Sequence, residues 1–73
     1  MLGMDVHLPY SFGDKVYYIS EIDDTTIKEA TIRGFRIYQY HTLYDLYDAE
    51  EDHYFVIESD EVYFSRENAE EAI

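Results

Sequence analysis

Apolar and polar residues alternate along much of this chain, which is typical of half-buried strands. Short runs rich in Tyr, Ile, Val, Phe and Thr are bounded by Gly and Asp. These runs predict strands over 15–21, 43–47, 53–58 and 62–64, a hairpin loop over 48–52 and a tight, 3₁₀-like turn over 59–61. In the first strand Val16, Tyr18 and Ser20 share a face. In the strand over 53–58, Tyr54 and Val56 lie on the face opposite Phe55 and Ile57.

The segment over 27–40 is too long for one straight strand, and its phase predicts where it bends. Ile32 occupies an even position, whereas Phe35 and Ile37 occupy odd ones. A slip of one residue near Gly34 would bring all three side chains to the core face. Since glycine permits a bulge or a sharp bend, we predict a bulge at Gly34 and a strongly curved continuation.

The chain ends predict less regular structure. Residues 1–11 form an irregular lead-in, in which Val6 and Leu8 make a brief extended segment and Pro9 opposes a helix. A turn follows, with Phe12 as a plug of the core. A second turn is predicted over 23–25, which has the sequence DDT.

Ser65 is placed to cap a short helix over 66–72 by accepting a bond from an amide of the first turn. Ala69 and Ile73 lie four residues apart and would both face the sheet. About five short strands, one sharply bent, and a terminal helical turn predict a small, mostly all-β antiparallel barrel. The length allows one domain, covering 1–73.

Residues 12–19 (FGDKVYYI) and 32–37 (IRGFRI) resemble the opening of small SH3-like barrel proteins. In that family a glycine–aspartate turn starts the first strand and a bent second strand follows. Residues 62–73 (VYFSRENAEEAI) are similar to the ending of many small proteins of phages and mobile elements of Gram-positive bacteria. The resemblance covers about 12–73 and implies an SH3-like fold and a source, but no activity.

The charge of the chain restricts the partners that it can bind. The chain has 17 acids, 5 bases, a formal net charge of −12 and no cysteine. Such a charge opposes direct binding to nucleic acid phosphates and to anionic membranes. Disulfides are excluded, and the amino end has neither the basic region nor the apolar stretch of a signal peptide. We therefore expect a cytoplasmic protein of a bacterial host.

The excess charge is concentrated in one half of the chain. Residues 1–40 carry six acids and four bases, whereas residues 41–73 carry eleven acids and one base. In the second half acids punctuate tyrosines, and tyrosine is a favoured interface residue. The predicted partner contacts are Tyr44, Asp45, Tyr47, Asp48, Glu50, Glu51, Asp52, Glu58, Asp60 and Glu61.

Acids fixed on a scaffold can occupy the positive surface of a nucleic-acid-binding protein, because carboxylates then stand where phosphates would. The leading hypothesis is a non-catalytic inhibitor from a phage or mobile element, in the style of anti-CRISPR and anti-restriction proteins, with a basic host protein as its partner. Three alternatives stay open: a generic acidic barrel without mimicry, a peptide-binding or assembly module that uses Tyr38, Tyr40 or Tyr44, and a homodimer.

Catalytic and metal chemistry find little support. His41, Asp45, Asp48, Asp52 and His53 fall within 13 residues, but no glycine follows Gly34 and the histidine spacing fits no zinc signature. No serine stands in a nucleophile elbow, and no glycine spacing fits a phosphate loop. We therefore expect no enzyme activity, no cofactor and no specific metal site.

Overall fold

A computed structural model of the chain describes residues 9–22 and 25–73. Four antiparallel strands lie in one open sheet in chain order: β1 (Lys15–Ile19), β2 (Ile27–Ile37), β3 (Thr42–Asp48) and β4 (His53–Glu58). A 3₁₀ turn (Ser59–Glu61) and the helix α1 (Arg66–Glu71) follow. The prediction of a mostly β fold with a short carboxyl-terminal helix is confirmed.

The predicted fifth strand is reduced to a single bridge. Tyr63 pairs with Tyr17 of β1 through two backbone hydrogen bonds of 3.0 and 2.7 Å. The pairing cannot continue far beyond Tyr63, because Ser65 already caps the helix. Instead of the predicted five strands, the described residues form an open sheet of four strands and this one bridge.

The bulge predicted in β2 is confirmed. Ile32 pairs with Leu46 and Gly34 pairs with Asp45, so that Arg33 is the additional residue. The slip brings Phe35 against the core, where its ring meets that of Tyr44 edge-on at 5.4 Å between centroids. The bulge thus keeps both halves of a long strand in register with the same core.

The core is small and lies on one face of the sheet. Among the described residues, its central cluster consists of six buried side chains: Val16, Ala30, Ile32, Tyr44, Leu46 and Val62. Phe55 and Ile57 of β4 pack against it, whereas Tyr54 and Val56 are exposed on the opposite face of the strand. The predicted alternation of β4 is therefore confirmed.

Helix α1 begins as predicted. The Ser65 hydroxyl accepts a hydrogen bond from the Asn68 amide at 3.1 Å, and Ala69 is fully buried. Arg66 lies over the Tyr17 ring and donates to the Ile27 carbonyl, so that the helix docks beside β1 and β2.

Three apolar residues predicted in the core are exposed. Ile37 ends β2 beyond the core, and Ile73 lies past the end of α1. Phe12 is 72% exposed, although its ring touches Phe35. A small core does not cover every apolar side chain. These three lie in the turn before β1, at the end of β2 and past the end of α1.

Further predictions differ at element ends or lie outside the described residues. β1 ends at Ile19 rather than at residue 21, β2 ends at Ile37 rather than at residue 40, and β3 extends to Asp48. The extended segment at Val6 and Leu8, and most of the turn over 23–25, lie outside the described residues.

Gly34 makes a close approach that generates a stability prediction. A Cβ atom built there would lie 2.7 Å from Oδ2 of Asp45, whose Oδ1 accepts a bond from Nε of Arg36 at 3.0 Å. Gly34→Ala should therefore displace the Asp45 carboxylate and lower the free energy of unfolding by about 1–2 kcal/mol. Urea denaturation of the wild type and of Gly34→Ala would measure this loss.

The control is the same substitution in an Asp45→Ala background. There the Cβ–Cβ contact of 3.3 Å remains but the carboxylate is gone, so less than half of the loss should persist. An equal loss in both backgrounds would show that the Asp45 carboxylate is not what requires glycine.

Candidate partner-binding surface

Eight of the ten predicted contacts lie at the surface, and two do not. Tyr44 is 2% exposed and Asp48 is 0% exposed, so neither can contact a partner in this conformation. Both belong to β3, where Tyr44, Leu46 and Asp48 are two residues apart. All three side chains therefore point to the core face. The other eight are exposed or half-exposed: Asp45, Tyr47, Glu50, Glu51, Asp52, Glu58, Asp60 and Glu61.

The buried carboxylate of Asp48 is the centre of a hydrogen-bond network. Its Oδ1 accepts from the backbone amides of Glu50 and Glu51 at 3.0 and 3.3 Å. Its Oδ2 accepts from the hydroxyl of Tyr18 at 3.1 Å and lies 3.2 Å from the ammonium of Lys28. A buried charge is stable only when it is paired and hydrogen-bonded, and Asp48 satisfies both conditions.

Electrostatics keep this network charged at neutral pH. Burial acts to raise the pKa of Asp48, but the bonds from the Glu51 amide, Lys28 and Tyr18 outweigh it and lower the pKa. The pKa of Lys28 is raised, most by its bond to Glu51 and next by its bond to Asp48. Burial, and then the Asp48 charge, raises the pKa of Tyr18 to about 12.

The turn between β3 and β4, residues 49–52, is called the acidic tip here because it carries Glu50, Glu51 and Asp52. Asp52 has a positive φ of 52°, a conformation that aspartate tolerates better than most residues. Its carboxylate accepts a bond of 2.5 Å from the hydroxyl of Tyr47. The acidic tip is thus held at its start by Asp48 and at its end by Tyr47.

The acidic tip keeps an excess of negative charge. Lys28 lies within 4 Å of three carboxylates, those of Asp48, Glu50 and Glu51, so one cation serves three anions. The Glu50 side chain is 82% exposed and reaches Lys28 only at 3.9 Å. The tip therefore presents carboxylates to solvent from a fixed backbone.

A second group of acids follows the other end of β4. Glu58 faces Nδ1 of His41 at 3.2 Å, and Asp60 and Glu61 are exposed in the 3₁₀ turn. Helix α1 adds three exposed acids that the sequence reasoning did not select: Glu67, Glu70 and Glu71. The charge of this segment was visible in the sequence, but its position beside β1 and β2 was not.

Two aromatic features adjoin the acidic tip. The rings of Tyr47 and Tyr54 are 4.7 Å apart, and Tyr54 is 66% exposed on the outer face of the sheet. On the core face, Tyr18 and Phe55 line a groove that the sequence reasoning missed. Its walls come from β1 and β4, which are far apart in the chain, so periodicity could not have found it.

The residues weighed for a metal site do not converge. Asp48 is buried in its own network, His41 pairs with Glu58, and His53 packs its ring against Phe55. Within residues 9–22 and 25–73, no three His, Cys, Asp or Glu side chains are arranged to hold a metal ion. No helix of this part of the chain is long and apolar enough to cross a membrane.

Comparison with known proteins supplies no relative for this chain. It matches no protein-family model, no curated protein and no solved structure. Its fold class therefore rests on its own strands, and its function on the geometry of its own surface.

Two matched substitutions test the role of the Asp48 network in stability. Asp48→Asn removes the anion that four donors share, and should lower the free energy of unfolding by about 2–4 kcal/mol. Asp52→Asn removes the same charge four residues further along, at the end of the acidic tip. Asparagine tolerates a positive φ, so this control should change stability by less than about 0.5 kcal/mol. Equal effects in urea denaturation would contradict the role given to Asp48.

Alkaline pH should weaken the same network. The neutral hydroxyl of Tyr18 donates to Asp48, and its pKa is raised from the unperturbed value of 10.0 to about 12. Its contribution is complete below pH 10 and is lost as pH rises through about 12. The raised pKa of Lys28 acts in the same direction. We expect the free energy of unfolding to fall over this range.

Tyr18→Phe tests the assignment, with Tyr54→Phe on the exposed outer face as its control. Thermal unfolding between pH 8 and about 12 should show a smaller alkaline loss in Tyr18→Phe than in the wild type and in Tyr54→Phe. An unchanged loss in Tyr18→Phe would assign the alkaline transition to other groups.

Proposed function

We propose that this protein is a non-catalytic binding protein whose acidic tip occupies a basic surface of a partner. Its most concrete form is a phage or mobile-element inhibitor that covers the nucleic-acid site of a bacterial host protein, in the style of anti-CRISPR and anti-restriction proteins. It would act in the host cytoplasm. The observation that carries the proposal is the fixed backbone of the acidic tip, held by the bonds from Glu50 and Glu51 to Asp48.

Rigidity separates this surface from an ordinary solvated loop. A flexible acidic loop loses conformational freedom on binding, which offsets the Coulomb attraction. Here the amides of Glu50 and Glu51 are already bonded and Asp52 is already fixed by Tyr47. Carboxylates in a fixed arrangement can match a positive groove, steer its encounter and exclude the nucleic acid.

The exposed tyrosine beside the acidic tip fits the same role. Tyr54 stacks with Tyr47, whose own hydroxyl reaches Asp52. A large, rigid and amphipathic ring next to charged groups is the usual composition of a binding hot spot. Tyr47 and Tyr54 therefore replace the buried Tyr44 as the aromatic anchors of the proposed contact.

A peptide-binding or assembly module is the second candidate, and one observation favours it. The end of β2 and its connection to β3 expose three apolar or aromatic side chains within four residues: Ile37, Tyr38 and Tyr40. Tyr40 is 89% exposed. Binding through this connection would depend weakly on salt, whereas binding through the acidic tip would depend on it steeply.

The test compares two triple variants with equal loss of charge. The tip variant carries Glu50→Gln, Glu51→Gln and Asp52→Asn, and the helix variant carries Glu67→Gln, Glu70→Gln and Glu71→Gln. Immobilised wild-type protein would capture its partner from a bacterial lysate, with elution in salt steps from about 0.05 to 0.5 M. The captured protein would then be titrated with each variant.

We expect the tip variant to lose at least about tenfold in affinity and the helix variant to lose less than about threefold. Duplex DNA or RNA should compete with the wild type for the captured protein. Equal losses of affinity in both variants would show that overall charge, and not the acidic tip, determines binding. A captured protein that survives high salt and depends on Tyr40 would favour the assembly module.

A further inference from the structure

A groove of about 360 Å³ lies on the core face between β4 and the turn after β1. Its wall is aromatic: the rings of Tyr18 and Phe55 are 5.0 Å apart, and His53 lies 5.5 Å beyond Phe55. Ile57 continues the apolar lining along β4. Apolar grooves with a few polar groups at the mouth are the usual form of a recognition site.

Ile22 stands at the rim of this groove and is 95% exposed. It is held there by its neighbours. The buried Ser20 accepts a hydrogen bond from the Ile22 amide at 3.2 Å, and the Ser20 amide donates to the carbonyl of Thr26 at 2.8 Å. These bonds hold the backbone of the turn, and the large apolar side chain of Ile22 is exposed next to the apolar groove.

The mouth of the groove is acidic. Glu21 and Glu51 line it, and within the described residues no base lies at ion-pair distance from Glu21. Lys28 also lines it, but its ammonium is shared among three carboxylates. The groove thus combines aromatic and aliphatic walls with net negative charge at its opening.

We infer that this groove binds a lysine or arginine side chain from an extended basic segment of the partner. The methylene stem would lie against Tyr18, Phe55 and Ile22, and the cation would reach Glu21 and the ring faces. An anionic ligand would be repelled, and a purely apolar one would leave the acidic mouth unused. The inference rests on the proposed function, because it names the chemistry of the partner segment next to the acidic tip.

The experiment titrates the full chain, labelled with ¹⁵N, with two synthetic peptides. One alternates lysine with serine. The other replaces each lysine by 2,4-diaminobutyric acid, which keeps the ammonium and has two methylene groups fewer. At about pH 6.5 both peptides carry the same charge. The lysine peptide should bind about fourfold tighter, because only its longer stem fills the groove.

The preference for lysine is then measured in Ile22→Ser, with Ile73→Ser as the matched control. Both isoleucines are exposed, so neither substitution should disturb the fold. The preference should vanish in Ile22→Ser and remain in Ile73→Ser. Amide shifts should be largest at Ile22, Phe55 and Ile57.

The outcomes separate this inference from the proposed function. Equal affinities for the two peptides, with weaker binding by the tip variant, would overturn the groove and leave the acidic tip standing. A lysine preference that Ile22→Ser abolishes, with no effect of the tip variant, would support the groove and contradict the tip. Failure of both peptides to bind would overturn the inference.

Discussion

The carboxylate of Asp48 joins three parts of this small protein at one buried point. Its donors come from β1 through Tyr18, from β2 through Lys28, and from the acidic tip through the amides of Glu50 and Glu51. Removing one partner from such a network leaves the others buried and unsatisfied. One buried side chain therefore ties the acidic tip to β1 and β2.

That network also sets how charge is distributed. A net charge of −12 on 73 residues works against a compact state, and the hydrophobic cluster that the described residues form is small. Lys28 offsets the repulsion where acids are densest, beside Asp48 and Glu51, but one cation cannot neutralise three anions. The remaining charge is exposed on a rigid turn, where it is available to a positively charged surface.

The sequence predicted those parts of the fold that local pattern controls. The change of phase between Ile32 and Phe35 located the bulge, because period-two alternation must slip to keep both in the core. Ser65 located the start of the helix through its capping chemistry. These features depend on neighbours in sequence, which a single chain displays.

Features that depend on distant neighbours were not predictable. Asp48 follows Tyr44 and Leu46 at the same two-residue spacing, yet an aspartate before a run of acids is typical of a loop. Its burial also needs Lys28 and Tyr18, which are distant in sequence. The groove was not predicted for a similar reason, because Tyr18 and Phe55 meet only when β1 and β4 fold over one core. The acidic tip was predicted as a site, but its rigidity was not.

Amide hydrogen exchange measures directly whether the acidic tip is rigid. We expect the amides of Glu50 and Glu51, which donate to Asp48, to exchange at least about a hundredfold slower than in an unstructured peptide of the same sequence. Exchange of both amides at the rate of the free peptide would show that the acidic tip is not rigid, because its carboxylates would then belong to an ordinary solvated loop.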